Sequence, residues 1–134
     1  MTMLLPDTDD PFIAAFFAHT ANGELRIQAC SACGRLRHPP RSVCPWCRAF
    51  DSEWRAVSGA GTVWSFVIAH PPLLPAYAER APYNVAVVAI DDDPRIRLIG
   101  NVVAANDALA IGMAVRVGFP PPIDGVVLPH WVPA

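Results

Sequence analysis

Residues 30–47 read CSACGRLRHPPRSVCPWC, and they hold all four cysteines of the chain: Cys30, Cys33, Cys44 and Cys47. Two C-x-x-C turns with ten residues between them can form a hairpin that closes four thiolates around one metal ion. Each turn presents two sulfurs from one bend, and zinc takes four of them tetrahedrally at about 2.3 Å. The expected cofactor is therefore one structural zinc. Iron in an electron-transfer site uses the same ligands, and a redox dithiol pair the same spacing, so both stay open here. A four-thiolate site has no vacant position for water or substrate. The metal is expected to build shape, and the function to lie elsewhere in the chain.

Upstream of the cysteines, residues 1–9 read as a loose tail. Asp9 or Asp10 can cap a helix with Pro11 at its first position, running through FIAAFFAHTA to Asn22-Gly23. Phe12, Ile13, Phe16 and Phe17 fall on one stripe of it. That stripe either packs on its own domain or docks on another chain. Leu25, Ile27 and Ala29 alternate with Arg26 and Gln28, the pattern of a strand entering the first cysteine turn.

Downstream, Ser58-Gly59-Ala60-Gly61 turns the chain, and the rest is β. Strands are expected at 62–69 (TVWSFVIA), 83–90 (YNVAVVAI), 95–104 (RIRLIGNVVA), 113–119 (MAVRVGF, after Ile111-Gly112) and 125–128 (GVVL). Five short strands with turn-rich connectors fit a small OB-type Greek-key barrel. The connectors 70–82 and 119–124 carry four and three prolines, which hold shape at low entropy cost where barrel loops carry recognition. The chain thus divides into a tail and helix (1–24), a metal ribbon (25–57) and a barrel (58–134).

Composition narrows the function classes. Hydrophobic residues make up 53% and charged residues 16%, against a typical charged share of about 25%. A permanent protein partner is the simplest cover for the excess apolar surface. The formal charge is -2, and a zinc tetrathiolate adds about two more negative charges. Nucleic-acid binding, the rival that ribbons and OB barrels raise, wants a net basic domain, so no nucleic-acid partner is expected. No stretch reaches the roughly 20 apolar residues of a membrane span, and the N-terminus lacks the pattern of a secretion signal; a cytoplasmic location and no membrane contact are the expectations. Catalysis by this chain is not expected. No cysteine is left as a nucleophile once zinc is bound. His19, His38, His70 and His130 are scattered, and Asp91-Asp92-Asp93 reads as a solvated turn.

From about residue 11 to residue 133 the chain resembles a bacterial and archaeal family, formerly a domain of unknown function. The most specific motifs are the link Pro39, Pro40, Arg41, Cys44, Pro45, the turn from Ser58 to Val63, and Ile111 to Met113. The resemblance implies a mainly β fold: an N-terminal helix, a rubredoxin-like zinc ribbon and a C-terminal five-stranded OB-fold barrel. It also implies a role. Members accompany thiolase-superfamily enzymes acting on acyl-CoA thioesters, some as separate subunits and others fused to a MaoC-like enoyl-CoA hydratase domain. The RLRHPP variant is most similar to members linked to steroid side-chain degradation, whose partner is a thiolase-like aldolase cleaving by retro-aldol chemistry.

The reading is then a non-catalytic accessory subunit in a heterotetramer with two copies of each chain. Phe12, Phe16 and Phe17 are its candidate partner interface. Arg35, Arg37, Arg41 and Arg48 either compensate the thiolate charge or contact a CoA phosphate or a partner carboxylate, with Arg35, Arg37 and Arg41 the candidate contacts. The alternatives are a nucleic-acid-binding ribbon and barrel, or a free-standing acyl-CoA-binding protein. The chain departs from the family pattern at Arg48, where a glycine is usual, and at His38, where an aromatic is usual.

Overall fold

In the computed structural model, which describes residues 3–134, helix α1 spans Pro11–Ala21. The Asp10 carboxylate accepts from the N–H groups of Phe12 at 2.8 Å and Ile13 at 3.2 Å, two donors with no partner inside the helix. Thr20 Oγ1 donates across to the Val127 carbonyl at 2.8 Å and ties the helix to the far end of the chain. Residues 1 and 2 of the expected tail lie outside the described residues. The remainder is held: the Leu4 N–H donates to the Tyr77 hydroxyl at 3.1 Å.

A three-stranded antiparallel sheet follows, ordered β2-β1-β3, from β1 (Arg26–Cys30), β2 (Leu36–Arg37) and β3 (Ser52–Ala56). Alternation along β1 puts Gln28 outside, yet Gln28 is fully buried. The strand is the middle one of its sheet, and the Gln28 amide is saturated. Its Nε2 donates to the Arg41 carbonyl at 2.8 Å and Ser52 Oγ at 3.0 Å. Its Oε1 accepts from the Arg41 N–H at 2.8 Å and Arg37 Nε at 3.1 Å. A primary amide has two donors and a two-lone-pair acceptor, so nothing is left unpaired and the burial is affordable.

The barrel is built from β4 (Ala60–Ala69), β5 (Tyr83–Ile90), β6 (Asp93–Gly100), β7 (Ala114–Gly118) and β8 (His130–Pro133), ordered β6-β5-β4-β7-β8. The two ends of that order meet just after β6. Val102 pairs in parallel with Trp131; the Trp131 N–H donates to the Asn101 carbonyl at 2.9 Å, and the Val103 N–H to the Trp131 carbonyl at 2.8 Å. This joins the two ends of the sheet order through residues 101–103 and closes it into the five-stranded OB-type barrel.

Two expected strands need correcting. Residues 125–128 form no strand; Asp124 and Gly125, at φ 48° and 81°, turn the chain, and Ile123 bridges Val126. The fifth strand is His130–Pro133, hidden in the sequence by Pro129 before it and Pro133 at its end, which barrels tolerate at strand ends. The third begins earlier and ends earlier than expected, at Asp93 and Gly100. Short helices at Pro75–Ala78 (α2) and a 3-10 turn at Asn106–Ala108 sit in loops that gave no helical signal.

Gly61 marks where β4 and β5 pack most closely: a Cβ there would lie 2.6 Å from Val88 Cγ1 and 2.9 Å from the Ala89 carbonyl oxygen. One buried cluster runs through the whole fold. Phe16, Ile27 and Leu36 from helix and ribbon join Val88, Ile96, Leu98 and Trp131 from the barrel. Outside, β4, β5 and β6 present Val67, Val85, Val87 and Ile99 on one face. A β-bulge between Val63 and Ser65 falls at the exposed Trp64, whose ring carries the Arg97 guanidinium at 3.8 Å.

Candidate metal centre and its surroundings

The two cysteine turns are built alike. In the first, the Cys30 N–H donates to the Arg35 carbonyl and the Gly34 N–H to the Cys30 carbonyl, both at 2.9 Å. In the second, the Cys44 N–H donates to the Ala49 carbonyl at 2.9 Å and the Arg48 N–H to the Cys44 carbonyl at 3.0 Å. β1 delivers Cys30, and the hairpin through β2 brings the second turn back over it.

The four Sγ atoms lie within 4.8 Å of one another, with Cys30 to Cys47 at 3.5 Å and Cys33 to Cys44 at 3.7 Å. A tetrahedron with bonds of about 2.3 Å to zinc has edges of about 3.8 Å, so the donor set fits zinc in type, number and spacing. The Cys33 N–H lowers Cys30 below the ordinary thiol value against the pull of burial, with the Ala32 N–H adding to it. The N–H groups of Cys47 and Trp46 bring Cys44 down to about 6, again against burial. Cys47 goes the other way, up to about 11: the Ala49 N–H lowers it, but the Cys30 sulfur, burial and the other two sulfurs outweigh that. Four sulfurs this close cannot all be thiolates unless a cation stands among them. Bound zinc supplies that charge and holds the two turns together.

Gly34 and Arg48 occupy equivalent places after their turns, at φ 77° and 68°. Glycine takes the left-handed conformation freely, and arginine takes it at a steric cost. Arg48→Gly is therefore expected to stabilise the protein by about 0.5–1 kcal/mol, read as a higher denaturant midpoint with unchanged zinc content.

The three singled-out arginines separate. Arg35 is exposed, with its guanidinium 5.4 Å from the centre of the Trp46 ring. The Arg41 side chain is exposed, while its backbone serves Gln28 and Arg37. Arg37 is 2% exposed and turned into the fold. The phenylalanines separate too. Phe16 is buried in an aromatic group with Phe17, His38 and Trp54, at ring distances of 5.0, 5.6 and 6.4 Å. Its surface is spent on the chain's own core, whereas Phe12 and Phe17 stay half-buried.

Sequence reasoning could not have found a groove of about 540 Å³ lined by Phe16, Phe17, His38, Pro39, Leu98 and Ile99 among others. It lies where α1, residues 38–40 of the ribbon and β6 meet, and those residues are far apart in the chain.

Burial lowers the His38 pKa from 6.5 to about 4. The unfolded chain therefore takes up a proton more readily than the folded one. The stability held by neutral His38 is complete above pH 6.5 and is lost as pH falls towards 4. One pKa unit corresponds to about 1.4 kcal/mol, so about 2 kcal/mol is expected to go between pH 7 and pH 5. His38→Phe is expected to flatten that slope, as urea midpoints at pH 5, 6 and 7 will show.

Known proteins share this architecture. Residues 17–53 match the family model described as the ChsH2 rubredoxin-like zinc ribbon domain, and residues 54–120 that of the ChsH2 C-terminal OB-fold domain. The probable enoyl-CoA hydratase alpha subunit of Thermomonospora curvata is 38% identical over 122 residues, 90% of this chain and 37% of that one. The 3-oxo-4,17-pregnadiene-20-carboxyl-CoA hydratase alpha subunit of Mycobacterium tuberculosis is 37% identical over 109 residues, 81% of this chain and 32% of that one. The chain thus spans about a third of the length of these relatives. A solved chain of the Ltp2-ChsH2(DUF35) aldolase matches with a TM-score of 0.82 and 34% identity, over 99% of this chain and 98% of that one. A helix-led zinc ribbon running into a closed OB barrel, matched over most of its length, places this chain in the ChsH2 (DUF35) family.

Proposed function

We propose that this chain is a non-catalytic accessory subunit of an acyl-CoA-processing enzyme. Its partner is a thiolase-superfamily enzyme that cleaves or joins carbon–carbon bonds at a CoA thioester, in a particle with two copies of each chain. The observation that carries this is the end-to-end match to a chain of the Ltp2-ChsH2 aldolase. Two hydratase alpha subunits among the relatives, one named for a steroid side-chain CoA ester, support a substrate of lipid or steroid type. The zinc offers no reacting position, because four thiolates fill its coordination. The chemistry is therefore left to the partner.

The outer barrel face is the proposed docking surface. Ile99 is 73% exposed, Val67 62%, Val103 55% and Trp64 51%, and obligate interfaces resemble a core cut in half. Ile99 also borders the large groove, so a partner on this face would sit beside the groove's mouth.

Co-expression with the candidate enzyme is expected to yield one heteromeric particle on size-exclusion chromatography with light scattering. The enzyme alone is expected to be insoluble or inactive. Ile99→Asp is expected to weaken the particle about thirtyfold or more while leaving zinc content and thermal midpoint near wild type, because Ile99 is outside the core. The Phe16 position is a poor probe, since a charge there would unseat α1. A chain that stays monomeric beside the enzyme and leaves its turnover unchanged rules the proposal out. Tight, steeply salt-dependent binding of single-stranded nucleic acid would favour the nucleic-acid reading, and saturable acyl-CoA binding by the lone chain would favour the carrier reading.

A further inference from the structure

A second pocket, of about 230 Å³, lies between ribbon and barrel and is lined by Arg37, Arg41, Trp46, Asp93, Arg95 and Ile96 among others. Its charge is unusual. Arg37 is 2% exposed, and a guanidinium keeps its proton at any ordinary pH. Its Nε donates to Gln28 Oε1 at 3.1 Å, and its Nη2 to the Arg41 carbonyl at 3.0 Å. Both acceptors are neutral. Nη1 is buried with no acceptor among the described residues.

The ion pairs among the described residues are Arg26–Glu24, Arg55–Glu53 and Arg95–Asp93; Arg37 is in none of them. Asp93, the acid of this pocket, is already committed. Arg95 grips it through Nε at 3.0 Å and Nη2 at 2.9 Å, and that grip holds the carboxyl below its usual pKa. Among the described residues, the two other guanidiniums of its lining, Arg37 and Arg41, have no counter-ion.

A buried charge without a partner is strongly unfavourable. A chain can carry one when the missing half of the pair is present nearly always, which describes a resident subunit better than a passing metabolite. The volume points the same way. It is below the roughly 300–1,000 Å³ of small-molecule sites, but one carboxylate side chain fits.

We propose that this pocket receives an Asp or Glu side chain of the partner subunit, bonded by the exposed Arg41 and attracted by the buried charge of Arg37 behind it. The inference rests on the accessory-subunit reading. It adds to the apolar outer face a charged contact that sets register, as buried ion pairs at interfaces do.

The test uses the complex with the co-expressed enzyme. Arg41→Gln is expected to weaken association roughly tenfold and Arg37→Gln roughly thirtyfold or more. Arg41→Glu is expected to be worse than Arg41→Gln, and Arg35→Gln, outside the pocket, to change nothing. Zinc content is expected to stay at one per chain throughout. Arg37→Gln can disturb the Gln28 network, so Arg41→Gln, whose lost group makes no bond among the described residues, carries the test.

A complex that forms normally and ignores both Arg41 variants overturns the pocket proposal and leaves the accessory reading intact. No complex with the wild-type chain overturns both. Loss of zinc in the Arg41 variants assigns the arginines to the thiolate cluster and overturns the proposal. In parallel, the Arg37 Nε–H resonance of the whole chain is followed while acetate, inorganic phosphate or CoA is added. Acetate shifting it at millimolar concentration is the expected result. Saturation by phosphate or CoA at micromolar concentration makes this a phosphate site instead.

Discussion

Cys44→Ala is expected to remove bound zinc and unfold the ribbon. A structural zinc of this kind contributes on the order of 10 kcal/mol to the folding of its lobe, as much as the whole stability of an ordinary domain. Cys44 is buried, and three remaining sulfurs do not close a tetrahedron. The damage is also expected to spread. Phe16, Ile27 and Leu36 belong to the same buried cluster as Ile96 and Leu98 of β6, so losing the ribbon uncovers one side of the barrel. Hydrogen exchange should show protection gone from β1 to β3, reduced in β6, and largely kept in the β4–β5 pair. Elemental analysis gives the companion reading: one zinc per wild-type chain and almost none in the variant. A zinc-free wild-type protein with an ordered ribbon, or iron in protein from native cells, would reject structural zinc. Chelation at neutral pH should reproduce the variant.

Trp131→Ala is expected to be the most damaging change within the barrel. Trp131 is 1% exposed, and its backbone makes the two hydrogen bonds that close the sheet onto Asn101 and Val103. Its ring packs on Gly100, where an added Cβ would lie 3.2 Å from Trp131 Cδ1. Truncating a buried tryptophan costs about 3–5 kcal/mol. Opening the seam would also expose the edges of β6 and β8, an invitation to aggregation. The measurements are the denaturant midpoint and light scattering on warming, with the zinc content unchanged. A loss below about 1 kcal/mol would show that β8 does not depend on its tryptophan for closure.

Local chemistry was legible from residues alone. The metal ligands could be read because zinc demands four thiolates at short range, and a C-x-x-C turn leaves little freedom in how it supplies two. α1 could be read because its cap, its proline and its Asn-Gly stop act within one turn of chain. β5 could be read to the residue because its alternating face is buried on one side only. The fifth strand was misplaced for the converse reason. GVVL has the composition of a strand, but Asp124 and Gly125 take left-handed backbone angles. HWVP, preceded by Pro129 and ending in Pro133, becomes a strand through its partners β7 and Val102. β2 is two residues long, too short to show any period.

Burial at polar positions was decided by tertiary structure. Gln28 reads as solvent-facing, because a strand pattern assumes one wet face, and Arg37 reads only as a counter-charge to the thiolates or a contact for CoA or a partner. β1 lies between β2 and β3 with both faces covered, and only the folded hairpin brings the Arg41 backbone into reach of both side chains. Phe16 and Phe17 look equivalent on a helical stripe, and the position of the ribbon alone makes one core and the other half-exposed. By itself the sequence determined the four metal ligands, the helix and most strands of the barrel, because those depend on patterns among near neighbours. The barrel's closing seam, the groove beneath α1 and the unpaired Arg37 depend on segments far apart in the chain, and such contacts exist only once the chain has folded.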